Sequence, residues 1–154
     1  MTTRIALDTN ILIYAVSTDS DPRNAIALEI TRRAFIANAI VPVQVLGEFL
    51  NVCRRKHVTA PAAALERVAE WLPLFVTPVT EISHLIEASA LSSQYDLAYF
   101  DALICALASA TGATHLLSED MHDSLRVKDL VVVNPFAAQN ASLIDHLFEG
   151  RRDD

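Results

Sequence analysis

Three aspartates occupy positions from which carboxylates could bind a divalent cation. Asp8 directly follows the apolar residues 5–7, and Asp120 lies shortly after the apolar residues 116–117. Asp101 is the only charged residue between positions 98 and 110 and has apolar neighbours. A buried carboxylate without a partner is costly, so Asp101 needs a proton, a hydrogen-bond donor or a cation. Two carboxylates about 4 Å apart repel by roughly 4 kcal/mol at an effective dielectric of about 20, and a shared cation would relieve that repulsion.

Each aspartate also has an ordinary structural explanation. Asp8 precedes a helical segment, where Asp is a common N-cap that contributes about 1 kcal/mol. Asp101 lies where the first turn of a helix is expected, and the helix dipole favours an acid there. Asp120 could simply form a turn. The residue types alone leave both interpretations open, and at Asp8 the two roles can coexist.

Short apolar strands alternate with helices along most of the chain. Strands are expected at residues 4–8, 39–41, 75–79, 114–117 and 130–133. Helices are expected at residues 10–16, 22–37, 43–56, 61–72, 81–93, 98–111 and 140–147. The third strand contains Pro78 and should lie at an edge, and Gly112 should end the sixth helix. The alternation predicts an α/β fold, a three-layer α/β/α sandwich with a central, mostly parallel five-stranded sheet.

The strand order along the chain brings the acids together. Ligands of an open parallel sheet bind beyond the carboxyl ends of its strands. Asp8 ends the first predicted strand, and Asp120 follows the fourth, so both should lie at one edge. Glu48 lies off the apolar stripe of its helix, which is typical of a solvated side chain. Gly47 beside it costs about 1 kcal/mol relative to Ala within a helix and could mark the close approach of another element.

Length and composition favour one globular domain. The chain has 154 residues, of which 52% are hydrophobic and 20% charged. Residues 1–136 should form the main part of the domain, and residues 137–154 its C-terminal helix and charged tail. No apolar run is long enough to span a bilayer and the N-terminus lacks signal-peptide features, so we expect a cytoplasmic protein. Cys53 and Cys105 should be reduced core residues.

The net charge is −7, which argues against a protein that works by coating phosphates. An acidic protein that acts on nucleic acid needs another reason to be acidic, such as metal-binding carboxylates or a basic partner. The five histidines are scattered, and no glycine-rich phosphate loop occurs. A zinc site or a nucleotide site of the usual kinds is therefore not expected.

Several segments together resemble those of PIN domains. Residues 7–12 (LDTNIL) are similar to the family's opening motif, and residues 99–104 (YFDALI) to its central acidic helix. Residues 117–121 (LSEDM), with 133–136 (VNPF) behind them, resemble its closing segment. Glu48 falls in the helix after the second strand, where the family keeps its second acid. The resemblance spans about residues 5–136 and is strongest to VapC-type toxins of bacterial toxin–antitoxin pairs.

This resemblance implies an endoribonuclease that hydrolyses RNA phosphodiesters with Mg²⁺ or Mn²⁺, hard ions that suit oxygen ligands. Its catalytic residues would be Asp8, Glu48, Asp101 and Asp120. Asp8 and Asp101 would hold one metal, and Asp120 would complete the site or recruit a second. Glu48 would assist as a general base or through an indirect metal contact. Hydrogen bonds that orient the carboxylates would come from Thr9, Asn10 and Ser118.

The resemblance also implies partners. Arg54, Arg55 and Lys56 end the helix that carries Glu48 and could contact RNA phosphates, although basic residues at a helix C-terminus are equally well explained by its dipole. VapC-like proteins form homodimers and are inhibited by an antitoxin that places a basic group near the acids. The helices at residues 61–72 and 81–93 could supply an apolar surface for either partner, or merely pack in the core.

Two other functions remain open. A PIN-like module could bind RNA or a partner without cutting, although the presence of all four acids favours an intact site. Haloacid-dehalogenase-like phosphatases also carry an Asp after the first strand and use it as a nucleophile. Those enzymes have a second Asp two residues further on, whereas Asn10 occupies that position here.

Overall fold

A mostly parallel sheet flanked by helices organises the computed structural model, which describes residues 2–149. The sheet contains four strands in the order β1-β2-β4-β3. They are β1 (Ile5–Leu7), β2 (His115–Leu117), β3 (Arg126–Val127) and β4 (Leu130–Val133). β1 pairs with β2 and β2 with β4 in parallel, whereas β3 is antiparallel to β4. The predicted α/β class with a mostly parallel central sheet is confirmed.

The sheet has four strands rather than the predicted five, because two predicted strands form only single bridges. Ile40, within the predicted strand at residues 39–41, pairs with β1 on one side and with Val76 on the other. Pro42 has no N–H with which to extend the ladder, and a helix begins directly after it. The segment at residues 75–79 thus lies outermost, in agreement with the edge position that Pro78 indicated. β3 was not predicted, because two residues are too few to show a strand pattern.

The helices follow the predicted ones to within two residues at each end. They are α1 (Thr9–Val16), α2 (Arg23–Ile36), α3 (Val43–Lys56), α4 (Pro61–Trp71), α5 (Ile82–Tyr95), α6 (Tyr99–Ala110) and α7 (Ala141–Glu149). A short 3₁₀ helix, Ala138–Asn140, precedes α7. None of the helices in residues 2–149 has the length and apolar character needed to cross a membrane. Residues 150–154 of the predicted charged tail lie outside the described part of the chain.

α6 forms the centre of the core and fixes the position of Asp101. Every residue from 102 to 108 is buried, which agrees with the apolar sequence of this helix. Gly112 follows the helix with a φ of +90°, as a C-cap glycine should. The Arg4 guanidinium, just before β1, donates a hydrogen bond of 2.5 Å to the carbonyl of Thr111. The end of α6 therefore lies where β1 begins, and its first turn lies where β1 ends.

Both cysteines are buried free thiols, as predicted. The interpretation of Gly47 as a point of close approach is wrong. A Cβ atom built on Gly47 would meet no atom within 4 Å, and the residue is exposed. Nothing in the structure of the single chain explains a glycine there.

Candidate functional site

All four predicted acids line one open cleft of about 620 Å³ at the carboxyl edge of the sheet. β1 and β2 are paired in register at their last residues, so Asp8 and Ser118 follow from neighbouring strands. Glu48 comes from the middle of α3, Asp101 from the first turn of α6, and Asp120 from the loop after β2. Residues far apart in sequence are thus brought to a single edge.

Asp8 is the most deeply buried of these acids, with 3% of its surface exposed. One carboxylate oxygen accepts a hydrogen bond from the Thr9 backbone N–H and the other from the Ser118 hydroxyl, each at 2.7 Å. Burial raises the pKa of Asp8 to about 6; these two hydrogen bonds oppose that increase, and the nearby Asp101 and Asp120 add to it. Asp8 is also the N-cap residue of α1, so the capping role and a place in the cleft coexist.

Asp101 is half-buried and shares the cleft with like charges. Burial raises its pKa, and the carboxylates of Asp120 and Glu48 raise it further. Within residues 2–149, no salt bridge involves any of the four acids. The cleft therefore holds several carboxylates that repel one another and that no cationic side chain pairs with.

Asp120 is exposed and is positioned by polar groups on two elements. The Asn10 side chain donates through Nδ2 to Asp120 Oδ2 at 3.0 Å and, more weakly, to Ser118 Oγ at 3.4 Å. The Asp120 backbone N–H donates to Ser118 Oγ at 3.2 Å. Ser118, which is fully buried, thus links the Asp8 carboxylate to the loop that carries Asp120.

Glu48 is held by two donors and is not the solvated side chain that the helix pattern indicated. The Thr9 hydroxyl donates to its Oε2 at 2.7 Å, and Gln44 Nε2 donates to its Oε1 at 3.1 Å. Glu48 is half-buried because the face of α3 that lies beside the apolar stripe forms a wall of the cleft. Gln44 was not predicted from the sequence, although its position one helical turn before Glu48 is a usable signal.

A second polar network beside the acids was also missed. The Tyr14 hydroxyl donates to Glu119 Oε1 at 2.5 Å, and the Arg23 guanidinium donates to Glu119 Oε2 at 3.1 Å. The same guanidinium lies 4.5 Å from the centre of the Tyr14 ring. Burial and the Glu119 carboxylate raise the pKa of Tyr14. Tyr14 follows Asn10 by four residues on α1, which places both on the cleft side of that helix.

The basic end of α3 lies at the mouth of the cleft. Arg55 and Lys56 are exposed and belong to its lining, whereas Arg54 is exposed but lies outside that lining. His57, with a φ of 53°, ends the helix in the left-handed conformation. The position of Arg55 and Lys56 suits contact with an anionic ligand and also complements the helix dipole.

The donor set of the cleft fits a hard divalent cation. Its acids offer oxygen ligands only, which suit Mg²⁺ or Mn²⁺ better than Zn²⁺. In the described part of the chain, no three His, Cys, Asp or Glu side chains form a ready-made metal site. Mg²⁺ commonly binds through one or two carboxylates and completes its shell with water and substrate phosphate, so a closed protein cage is not required.

Comparisons with known proteins agree with this architecture. The sequence matches the family model of the PIN domain over residues 5–128, and no curated protein matches it. Among solved structures, a toxin–antitoxin complex from Klebsiella pneumoniae has a TM-score of 0.64 at 21% identity, covering 87% of this chain and 98% of that chain. VapC20, a sarcin-ricin loop cleaving toxin from Mycobacterium tuberculosis, gives 0.60 at 18% identity, with coverages of 75% and 91%. FitAcB from Neisseria gonorrhoeae gives 0.57 at 15% identity, with coverages of 86% and 99%. At these identities the structural likeness establishes a shared fold.

Proposed function

The chain belongs to the PIN-domain family, and on this basis we propose that it is a metal-dependent endoribonuclease that hydrolyses RNA phosphodiester bonds. The observation that carries the proposal is the meeting of Asp8, Glu48, Asp101 and Asp120 in one cleft, where none of these acids forms a salt bridge with a side chain of residues 2–149. RNA as the substrate is supported by the sarcin-ricin loop cleaving activity of one structurally similar toxin. The toxin role is supported by the toxin–antitoxin complex that shares the fold.

Asp8 and Asp101 are the proposed ligands of one Mg²⁺ or Mn²⁺ ion, and Asp120 would complete the site or recruit a second ion. The bound cation would supply the charge that activates water and offsets the charge of the scissile phosphate. The Thr9 N–H and the Ser118 hydroxyl hold the Asp8 carboxylate in place, while Asn10 holds that of Asp120. These bonds keep the acids in position before the substrate arrives, which avoids reorganisation during the reaction.

Glu48 is the proposed general base. Each of its carboxylate oxygens accepts one hydrogen bond from the protein. Each oxygen has a second lone pair, so the carboxylate can also accept a proton from the attacking water. No cationic side chain of residues 2–149 forms a salt bridge with Glu48, which leaves its charge available for that proton.

Arg55 and Lys56 are the proposed contacts to the RNA backbone, with Arg54 as a more distant one. Glu48, Asn51 and Arg55 follow one another at helical spacing and all line the cleft. A phosphate bound at the basic end of α3 would therefore lie about two helical turns from Glu48 along the same helix. Such contacts position RNA without reading its sequence.

The acidic cleft also fits a basic antitoxin as the partner of this chain. A net charge of −7 and a group of carboxylates that form no salt bridge within the described part of the chain would attract a cationic segment. An arginine or lysine inserted among these acids would occupy the place of the metal and thereby stop cleavage. A small gene for a DNA-binding protein next to the coding sequence of this chain would support this assignment.

Metal-dependent cleavage is the test of the proposed function. We expect the purified chain to cut members of a panel of structured RNAs in Mg²⁺ or Mn²⁺ and to stop when EDTA is added, because the acids alone cannot stabilise the phosphate charge. The products are followed on denaturing gels, and excess Mn²⁺ should restore cleavage after chelation. RNA that is bound but not cut under any of these metal conditions would indicate a silent binding module instead.

We propose a homodimer formed through the exposed apolar face of α5 and the start of α6. Ile82, Ile86 and Phe100 are 76%, 68% and 62% exposed. The Tyr99 hydroxyl donates to the Leu85 carbonyl at 3.1 Å, which fixes the first turn of α6 against α5 and joins these side chains into one surface. Monomeric proteins rarely leave a large contiguous apolar surface uncovered, so this surface is a natural interface.

Ile86→Asp should convert the protein into a monomer, because a charge at the centre of an apolar interface loses its hydration. Light scattering after size exclusion should give twice the 16.9 kDa of one chain for the wild type and a single chain for the variant. Leu65→Asp, at a leucine of α4 that is 60% exposed, is the matched control and should remain dimeric. Dissociation by Leu65→Asp alone would instead place the interface on α4.

A further inference from the structure

Gln44 donates a hydrogen bond to Glu48 from the first turn of the same helix. Its Nε2 lies 3.1 Å from Glu48 Oε1, in a partly buried setting. The amide oxygen of Gln44 is itself buried and has no hydrogen-bond partner among the described residues. With the amide reversed, that oxygen would face the carboxylate as a second acceptor, so the side chain has one favourable orientation.

This arrangement is unfavourable for Gln44 on its own. A buried acceptor without a partner is costly, because it loses its hydrogen bonds to water and gains none in the protein. Gln44 does not cap α3 either. The N-cap residue is Pro42, and no side-chain hydrogen bond caps the start of this helix. The contact with Glu48 is thus the one polar interaction that the described structure gives the Gln44 side chain, and it is retained despite that cost.

The contact matters for the direction in which Glu48 presents its lone pairs. The last torsion of a glutamate side chain has a broad energy profile, so the plane of its carboxylate is set by its hydrogen-bond partners. The Thr9 hydroxyl holds Oε2 from α1, and Gln44 holds Oε1 from α3. One donor alone would leave the carboxylate free to rotate about that bond, whereas two donors from different elements fix the plane.

We propose that Gln44 is a positioning residue of the nuclease, which holds the Glu48 carboxylate in the plane required to accept a proton from the attacking water. The inference rests on the proposed function and adds a residue to it. Gln44 does not line the cleft, so it acts through Glu48 and does not touch the RNA. Its removal should therefore slow the chemical step and leave RNA binding and metal binding unchanged.

We test this role by measuring the kinetics of RNA cleavage in Mn²⁺. Four proteins are compared: the wild type, Gln44→Met, Glu48→Gln and the double variant. Met keeps the size of the side chain but cannot donate. We expect Gln44→Met to lower kcat by about tenfold, the typical effect of one hydrogen bond to a charged group, with KM changed by less than about twofold. Mn²⁺ affinity measured by calorimetry should stay unchanged. Gln94→Met, at an exposed glutamine of α5, is the matched control and should behave as wild type.

The double-mutant cycle separates positioning from a general structural role. In the Glu48→Gln background, adding Gln44→Met should have no further effect on kcat, because the group on which it acts is gone. The inference would be overturned if Gln44→Met lowered kcat equally in both backgrounds. It would also be overturned if Gln44→Met changed KM alone or left kcat at the wild-type value. If Gln44→Met fails to fold, Gln44→Glu takes its place, because Glu has the same shape as Gln. Its carboxylate would repel that of Glu48 and should lower kcat further. A wild type that cuts no RNA would instead overturn the proposed function, and this inference with it.

Discussion

Replacing Asp101 with Asn is expected to lower metal-dependent RNA cleavage by about 10³-fold or more while the fold survives. Asn has the same shape as Asp but supplies no negative charge to a cation, and several kcal/mol of charge stabilisation correspond to a loss of that size. Asp101 lies in the first turn of α6. Its carboxylate accepts no hydrogen bond from the described residues, so folding does not depend on such a bond. The change should therefore affect the chemistry and spare the structure.

The rate of RNA cleavage in Mn²⁺ measures the expected loss of activity. Thermal unfolding in EDTA measures whether the fold survives. Burial and the neighbouring acids raise the pKa of Asp101, so its ionised form is disfavoured in the metal-free protein. Asp101→Asn should then unfold at the same temperature as the wild type or a higher one. Asp96→Asn is the control, because Asp96 is exposed, has a φ of 53°, and Asn tolerates that conformation. Cleavage within about tenfold of wild type would remove Asp101 from the metal site.

The metal-free protein should lose stability between about pH 4 and pH 6 because of Asp8. Its pKa rises from 3.8 to about 6 on folding, mainly through burial. In that range the folded state binds more protons than the unfolded chain, so the free energy of unfolding falls as the pH rises. The penalty is absent below pH 4 and complete above pH 6. A difference between pKa values of 3.8 and about 6 corresponds to roughly 3 kcal/mol.

Urea unfolding in EDTA at several pH values, with wild type and Asp8→Asn compared, isolates this contribution. The stability of Asp8→Asn relative to wild type should increase by up to roughly 3 kcal/mol between pH 4 and pH 7. Using the difference matters, because carboxylates with lowered pKa values, such as Asp21, act in the opposite direction. Asp96→Asn should show no such trend. A constant difference across the range would mean that Asp8 has an ordinary pKa in the folded protein.

Divalent ions should reverse this penalty. At pH 7 Asp8 is ionised and can bind Mn²⁺ directly, whereas at pH 5 the ion must first displace a proton. Saturating Mn²⁺ should therefore raise the unfolding temperature of the wild type more at pH 7 than at pH 5, and should raise that of Asp8→Asn much less at either pH. The raised pKa values of Asp8 and Asp101 mean that the ionised forms of these two side chains are disfavoured in the metal-free fold, and a bound cation would make the same charges favourable.

The sequence by itself determined the fold class, the helices and the meeting of Asp8 with the segment that carries Asp120. Apolar periodicity, proline and glycine act locally, and parallel strands end at a common edge, so these features follow from short-range patterns. The strand count was wrong because residues 39–41, which Pro42 follows, and residues 75–79 form only isolated bridges. The two-residue β3 was not predicted because it is too short to show a pattern.

Only the tertiary structure decided what surrounds Glu48. A residue off the apolar stripe of α3 can either face solvent or line a cleft. Which of the two holds for Glu48 depends on how α3 packs against α1. That packing brings the Thr9 hydroxyl to Glu48. The tertiary structure also buries the Gln44 amide oxygen, which has no hydrogen-bond partner among residues 2–149. The contact between Tyr14 and Glu119 likewise joins α1 to a loop far along the chain. Such contacts depend on the relative positions of whole elements, which no local pattern of residues encodes.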